Sequence, residues 1–378
     1  MTFQSKLADR LDAAVDRALA EKRIVGGVVL VAKDGALVYR RAAGFADREE
    51  GRAMREGDVF RLASVTKPFV AAAAMRLVEQ GAIGLDDPAT RFLPEFRPCH
   101  ESGEAPTLTI HSLLTHTSGL GYAFQEGADG PYHRLGVSDG LEQPGLTIEE
   151  NLRRLAAAPL KFAPGAAWRY SLAMDVLGAI LAKAARRALP DLVRELVLEP
   201  LGLNDSGFAV PSGVRLVAPY ADGAPEPVRM HDGDSVPFLD FLIRFAPSRA
   251  LDPASYPSGG AGMVGTAHDV LRFLEAIRGG GAPILKPETV ARMTADHLGP
   301  QAETRGPGWG FGYGWAVLND PVAAATPQSK GTFQWGGVYG HSWFVDPAQA
   351  LTVVALTNTA IEGMAGPFVS QMCDAVYG

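Results

Sequence analysis

The sequence has little cysteine, no long hydrophobic run and no run of basic residues, and each absence excludes a class of protein. Its two cysteines, Cys99 and Cys373, cannot build a disulfide framework and lack the spacing of metal ligands. The longest apolar stretch, Phe69 to Met75, ends at Arg76 and is much shorter than the roughly 18–20 residues of a membrane span. We expect two free thiols and no membrane partner.

The charge balance is slightly acidic, with 35 basic and 42 acidic residues and a formal charge of −7. Because phosphate binding needs a basic surface stripe, we expect no nucleic-acid partner. The chain begins with charged residues at helical spacing rather than with a basic tip and an apolar block, so we expect a cytoplasmic location. The sequence does not decide the oligomeric state.

The two ends of the chain have the β-rich pattern of strands. The hairpin signal Lys33-Asp34-Gly35 separates the first two strands, and short turns separate the last three. Apolar residues at helical spacing predict a helix over 5–20 beside this sheet and another over 367–377. The predicted strands cover residues 24–32, 36–44, 332–338, 341–345 and 351–358.

The middle of the chain has helical patterns instead. Thr147 to Glu150 forms a capping box whose helix should end at Pro159. Apolar spacing predicts further helices over 172–188 and from Thr266 onward. This order of elements predicts a helical lobe inserted into a sheet built from both chain ends.

The predicted fold class is therefore α/β, of the α+β type, with two lobes. Single cores stop growing near about 250–300 residues, and this chain has 378, of which 47% are hydrophobic. We expect an antiparallel sheet of five or more strands, flanked by terminal helices, over residues 1–80 and 255–378. Residues 81–254 should form the mainly helical domain, with the active site between the two.

Ser64 and Lys67 form a candidate catalytic pair. They follow a β-prone run and lead into a helix whose first turn contains Pro68, where a missing N–H has little effect. Three residues are nearly one helical turn, so the Lys67 amine can reach the Ser64 hydroxyl as a base. The segment also fits a serine N-cap followed by an exposed lysine, so it does not decide the function alone.

Further motifs complete a pattern. Tyr170-Ser171-Leu172 opens a predicted helix, and Trp335-Gly336-Gly337-Val338 lies on a predicted C-terminal strand. Together with Phe60 to Pro68, Leu113 to Leu120 and Gly259 to Gly262, they stand in the order found in serine β-lactamases and penicillin-binding proteins. The sequence resembles the class C β-lactamase-like esterases called family VIII carboxylesterases, most closely their EstB-type branch, over most of its length.

The resemblance implies roles for particular residues. Ser64 would attack an ester carbonyl and become acylated, with Lys67 and Tyr170 as coupled general base and acid. The backbone N–H groups of Ser64 and Val338 would form the oxyanion hole. Aromatic residues in glycine-rich connections are further candidates for the pocket wall: Tyr122, Phe124, Tyr132, Trp309, Phe311 and Tyr339. The expected substrate-binding residues are Trp335, Gly336, Gly337, Tyr122 and Tyr339.

Two departures from the β-lactamase pattern favour an esterase. Such enzymes have Asn at the position of Leu172 and Lys-Thr-Gly where this chain has Trp335-Gly336. An apolar wall suits an uncharged group and provides no cation for a substrate carboxylate. We expect a serine carboxylesterase for small, short-chain acyl esters, with no cofactor. A β-lactamase or D-amino-acid peptidase, an acyltransferase and a catalytically silent protein on the same scaffold remain alternatives.

Three other motifs are weaker candidates. Ser138 lies in a G-x-S-x-G match, but the loop-like residues before it do not supply the strand of a nucleophile elbow. Gly260 to Gly265 spells a dinucleotide fingerprint without a preceding strand, so we expect a loop close to the active site. His111 and His116 are five residues apart, which does not place both on one helix face, and we predict no metal site.

Overall fold

The computed structural model describes residues 3–210, 213–299 and 302–378, and at its centre lies one antiparallel sheet of eight strands. In chain order the strands are Gly26–Lys33 (β1), Ala36–Asp47 (β2), Arg52–Ala53 (β3), Trp309–Phe311 (β4), Ala316–Leu318 (β5), Phe333–Gly337 (β6), His341–Asp346 (β7) and Leu351–Thr357 (β8). Their order across the sheet is β4-β5-β6-β7-β8-β1-β2-β3. The last strand of the chain therefore pairs with the first, and both chain ends build one sheet.

Helices cover both faces of this sheet. The α-helices are Phe3–Ala20 (α1), Thr66–Glu79 (α2), Ile110–Leu114 (α3), Pro131–Leu135 (α4), Ile148–Ala156 (α5), Ala173–Ala185 (α6), Leu189–Val193 (α7), Glu199–Leu201 (α8), Ala267–Arg278 (α9), Pro287–Thr294 (α10), Ala360–Ala365 (α11) and Pro367–Tyr377 (α12). The terminal helices α1 and α12 pack on one face, and α2 and α9 pack on the other. None of the helices in the described residues is long and apolar enough to cross a membrane.

Strand β1 is apolar from Gly26 to Ala32 because the sheet is covered on both faces. Val29 and Val31 pack with the terminal helices, whereas Val28 and Leu30 pack with α2 and α9. Side chains of a strand alternate between faces, so each layer receives every second residue. One strand thus belongs to two hydrophobic cores.

Short strand pairs lie outside the main sheet. One of them joins the segment before Ser64 to the glycine-rich segment near 260, and another forms a hairpin beside the active site. The pairs are Phe60–Arg61 with Val264–Gly265, Tyr220–Ala221 with Val228–Arg229, and Ser235–Phe238 with Phe241–Arg244. The segment predicted as the helical domain therefore contains β structure as well as α3 to α8.

The predicted antiparallel sheet of five or more strands, flanked by terminal helices, is confirmed. One local detail differs: Thr147 Oγ1 accepts the Glu150 N–H at 3.3 Å, but the Glu150 carboxylate pairs with Arg153 and Arg154. The capping box is only half formed, because two nearby guanidinium groups attract that carboxylate more strongly than a backbone N–H does. The domain boundaries after residues 80 and 254 stay predictions.

Candidate active site

Ser64 lies in a tight turn directly before α2. The turn is a 3-10 helix, and its first residue, Ala63, has a φ of 44°, a conformation that non-glycine residues rarely adopt. The Met263 carbonyl accepts the Leu62 N–H (2.9 Å), and the Met263 N–H donates to Thr66 Oγ1 (3.0 Å). These bonds hold both ends of the turn and fix Ser64 against the loop that contains Met263.

The Ser64 hydroxyl has two hydrogen-bond partners in the described part of the chain. Tyr170 OH and Ser64 Oγ share a hydrogen bond of 2.7 Å, and the Lys67 amine donates to the Ser64 oxygen over 3.0 Å. Lys67 also donates to the Gly260 carbonyl oxygen over 2.7 Å, so the 259–265 loop passes beside the site. The arrangement is a hydroxyl nucleophile between two groups that can exchange its proton.

Lys67 is fully buried and lies between aromatic rings. Its amine is 4.6 Å from the centroid of the Tyr170 ring and 5.6 Å from that of Tyr122. Such rings stabilise a positive charge through their quadrupoles. Burial raises the pKa of the Tyr122 hydroxyl, and the nearby Tyr170 and Asp175 act in the same direction. Tyr122 is therefore a neutral phenol beside the amine.

Two aromatic neighbours hold the Tyr170 ring in place. Trp335 Nε1 donates to Tyr170 OH over 3.3 Å, and the His116 ring packs on the phenol with centroids 5.0 Å apart. Burial and the charge of Lys67 lower the pKa of His116 well below its usual range, so the imidazole is neutral. His116 Nδ1 is 3.0 Å from Ser171 Oγ, which fixes the ring. His116 thus orients Tyr170 from behind.

Gly336 and Gly337 bring strand β6 close to the Ser64 turn. A Cβ at position 337 would stand 2.4 Å from the Leu62 carbonyl oxygen, and one at position 336 would stand 2.5 Å from the backbone of β7. The chain turns at Val338, which lines the same cavity as Ser64. Its N–H makes no hydrogen bond to the described part of the chain, so it is free to bind a substrate oxygen.

A cavity of about 490 Å³ lies above Ser64. Most of its wall is apolar or aromatic, which suits uncharged organic groups. The larger lining side chains are Tyr122, Phe124, Trp168, Tyr170, Phe238, Leu239, Phe241, Ile243, Trp335 and Met364. Arg305, on an exposed loop, also lines the cavity and has no ion-pair partner among the described residues. Leu172 and Trp335 thus supply no cation, but Arg305 brings one to the cavity wall from another loop.

Most of the predicted site residues meet at this cavity. Those that line it are Ser64, Tyr122, Tyr170, Trp335, Gly336 and Val338. Lys67 lies directly behind Ser64, whereas Gly337 packs on the Leu62 carbonyl behind the wall. Tyr339 packs on Phe245, with ring centroids 5.1 Å apart, and lines a smaller separate pocket. Gly337 and Tyr339 thus lie close to the site without lining its cavity.

Of the remaining candidate residues, one lines the cavity and the others are buried in the protein core. Phe124 lines the cavity, whereas Tyr132, Trp309 and Phe311 are buried in hydrophobic clusters. Ser138 is fully buried, and its hydroxyl accepts the Gly140 N–H at 3.1 Å. It does not line the cavity and has a structural role in its turn.

Several residues of the site were not predicted from the sequence. The hairpin 235–244 supplies Phe238, Leu239, Phe241 and Ile243, and the apolar residues on both sides of Asp240 were the available signal. Asp175 and Arg305 carry no sequence signal of their own, because single charged residues are usually solvated. Only the folded chain shows what surrounds them.

Comparisons with known proteins agree with this geometry. The family profile named Beta-lactamase matches residues 11–367. Esterase EstB of Burkholderia gladioli is 58% identical over 377 residues, which are 99% of this chain and 96% of that protein. The solved structure of EstCE1, described as a hydrolase with promiscuous acyltransferase activity, is 51% identical, covers 99% of both chains and has a TM-score of 0.97. Simvastatin synthase (LovD) of Aspergillus terreus, 20% identical over 98% of both chains with a TM-score of 0.76, shares the fold.

The family profile spans nearly the whole chain, and the similarity to EstB extends over almost the full length of both proteins. Sequence and structure comparisons therefore lead to the same group. The chain belongs to the beta-lactamase family, and its predicted place in the EstB-type branch of the family VIII carboxylesterases is confirmed.

Proposed function

We propose that this protein is a serine carboxylesterase that hydrolyses small, short-chain acyl esters through an acyl-enzyme on Ser64. One observation carries the proposal: Ser64 Oγ lies 2.7 Å from Tyr170 OH and 3.0 Å from Lys67 Nζ, beneath an apolar cavity. The activity of the esterase EstB, 58% identical, supports it.

In this mechanism Ser64 Oγ attacks the ester carbonyl carbon while the Lys67/Tyr170 pair takes its proton. The developing oxyanion accepts hydrogen bonds from the backbone N–H groups of Ser64 and Val338. The pair then protonates the leaving alkoxide, which departs as the alcohol. Water attacks the acyl-enzyme, gives one proton to the pair, and the carboxylic acid leaves as that proton returns to Ser64 Oγ.

The test compares Ser64→Ala with Ser138→Ala on 4-nitrophenyl acetate and butyrate. Ser64→Ala should reduce the rate to background, and a phosphonate probe should label Ser64 in the wild type, as mass spectrometry would show. Ser138→Ala removes a buried hydroxyl outside the cavity and should keep most of the activity. Full activity of Ser64→Ala would disprove the proposal.

The shared acylation step makes β-lactam hydrolysis the main alternative. The side chains of Leu172 and Trp335 provide neither the amide nor the ammonium group of the β-lactamase motifs. We therefore expect nitrocefin turnover to be far slower than nitrophenyl ester turnover on the same preparation. A clear preference for nitrocefin would assign the protein to the β-lactamases instead.

Acyl transfer to alcohols is a second candidate activity. It is supported by the described promiscuous acyltransferase activity of EstCE1 and by the apolar cavity, which would favour an organic alcohol over water at the acyl-enzyme. Incubation with vinyl butyrate and benzyl alcohol in water should yield benzyl butyrate, measured by gas chromatography. Butyric acid as the sole product would leave hydrolysis as the activity.

A further inference from the structure

Asp175 is a buried carboxylate that accepts no hydrogen bond of ordinary geometry from the described residues, although the Ser258 hydroxyl and the Gly260 N–H lie beside it. It occupies the third position of α6 and is only 2% exposed. A buried carboxylate is strongly destabilised unless a nearby charge compensates for the lost water. The residue therefore needs a partner that acts through charge.

Lys67 is that partner. A point at the ideal Cβ position of Gly260 lies 2.5 Å from Asp175 Oδ2 and 3.5 Å from Lys67 Nζ. The carboxylate and the amine are therefore within about 6 Å of each other, which is the range in which opposite charges change each other's protonation. Gly260 permits this approach because a side chain there would collide with the carboxylate.

Other groups also face Asp175. Burial raises the pKa of its carboxyl, while the Ser258 hydroxyl, the positive charges of Lys67 and Arg249, and the Gly260 N–H oppose that rise. Arg249 interacts with the ring of Tyr256, with its guanidinium 4.5 Å from the ring centroid. The remaining titratable neighbours are Asp139, Tyr122 and Tyr256. Of the two cations, Lys67 alone bonds to Ser64.

We propose that Asp175 is a positioning residue for this esterase reaction: its buried negative charge keeps the shared proton of the Lys67/Tyr170 pair on Lys67. The ammonium then donates to Ser64 Oγ and to the Gly260 carbonyl, and Tyr170 is the group that takes the Ser64 proton. During acylation the Ser64 proton moves to the Tyr170 oxygen and then to the leaving alkoxide. During deacylation a proton of the attacking water moves to the Tyr170 oxygen and then back to Ser64 Oγ. The inference rests on the proposed function.

The experiment is the pH dependence of kcat/KM for 4-nitrophenyl butyrate in wild type and Asp175→Asn. A nearby anion favours protonated forms, so its removal should move both limbs of the profile to lower pH, by about one to two units. We expect kcat/KM at the optimum to fall at least about tenfold. Asp175→Glu keeps the charge and should keep the wild-type limbs even if its rate is lower.

Asp269→Asn is the matched control. Asp269 is also a buried aspartate at the third position of a helix, α9, but its carboxylate accepts the Asp205 N–H (3.0 Å) and does not line the cavity. The limbs of the pH profile of Asp269→Asn should coincide with those of the wild type. If Asp175→Asn folds and the limbs of its pH profile do not move, this inference is overturned. The esterase proposal would remain intact as long as Ser64→Ala is inactive. If Asp175→Asn does not fold, the pH profile of Gly260→Ala replaces it, because the added methyl group displaces the carboxylate. Unmoved limbs in the profile of Gly260→Ala would overturn the inference equally.

Discussion

Gly337 touches the turn that carries the nucleophile: a Cβ at this position would stand 2.4 Å from the carbonyl oxygen of Leu62. The absent side chain lets the end of β6 pack directly against the residues before Ser64. Val338, one residue further on, lines the cavity. Glycine here sets a backbone distance, although it does not line the cavity itself.

Gly337→Ala should therefore reduce activity strongly. The added methyl must push β6 away from the Ser64 turn, which displaces Val338 and destabilises the fold by about 1–3 kcal/mol. We expect kcat/KM for 4-nitrophenyl acetate to fall at least about tenfold in protein that remains folded at the assay temperature. Gly57→Ala is the control, because nothing lies within 4 Å of its added carbon. Equal activities of the two variants would contradict the role given to Gly337.

Trp335→Phe should lower the rate moderately. The variant keeps an aromatic ring but removes the N–H that donates to Tyr170 OH, so we expect a several-fold loss in kcat. The control is Trp343→Phe, the residue paired with Trp335 across β6 and β7, whose indole N–H has no partner within the described residues. Steady-state kinetics of both variants would measure the difference. Identical losses would mean that only general packing is involved.

The hairpin 235–244 should control the chain length of the acyl group. Phe241 lines the cavity, and its ring packs on Phe124 with centroids 6.0 Å apart. Phe241→Ala enlarges the cavity, so kcat/KM for the nitrophenyl octanoate should rise several-fold relative to the acetate. Leu242→Ala, on the same hairpin but 53% exposed and outside the cavity, should leave the ratio unchanged. A panel of nitrophenyl esters from acetate to decanoate measures this ratio of kcat/KM values.

Arg305 should favour esters that carry a carboxylate. Arg305 lines the cavity and has no ion-pair partner among the described residues. Arg305→Leu should reduce kcat/KM for 4-nitrophenyl hemisuccinate by about two- to fivefold relative to the butyrate, the effect of one exposed ion pair. Arg244→Leu, at the far end of the hairpin, is the control. The wild-type preference should also weaken as salt concentration rises, because salt screens exposed charges.

His341 should make the protein less stable in mild acid. Burial lowers its pKa to about 4, although the ring donates from Nε2 to the Arg61 carbonyl over 2.7 Å. An unfolded histidine titrates near about 6.5, so protons bind the unfolded chain first and stability decreases as the pH falls from about 6.5 towards 4. Between pH 7 and pH 5 this group removes about 2 kcal/mol.

Thermal unfolding of wild type and His341→Gln from pH 7 to pH 5 measures this effect. The glutamine variant should have a flatter dependence on pH, whatever its stability at pH 7. The exposed His231→Gln is the control and should keep the wild-type slope. An unchanged slope in His341→Gln would assign the acid sensitivity to other groups.

Local patterns were sufficient to predict five of the eight strands of the sheet, the terminal helices and the segments that bear Ser64, Lys67 and Tyr170. Hydrophobic alternation and helical spacing depend on neighbouring residues, so they can be recognised before the fold is known. The motifs shared with the family VIII carboxylesterases added the expected roles. The hairpin 235–244 was missed because its strands are only four residues long and its buried side chains pack on residues distant in the chain, such as Val338 and Tyr339.

The tertiary structure alone decided which distant groups surround the serine. Gly337 meets Leu62, Asp175 approaches Lys67 beside Gly260, and Arg305 reaches the cavity. Each of these relationships joins residues that are far apart in the chain, and each depends on burial or on a backbone distance that no local pattern encodes. The amino-acid order therefore determined the fold class and the candidate nucleophile, whereas packing determined the charge and shape of the space around it.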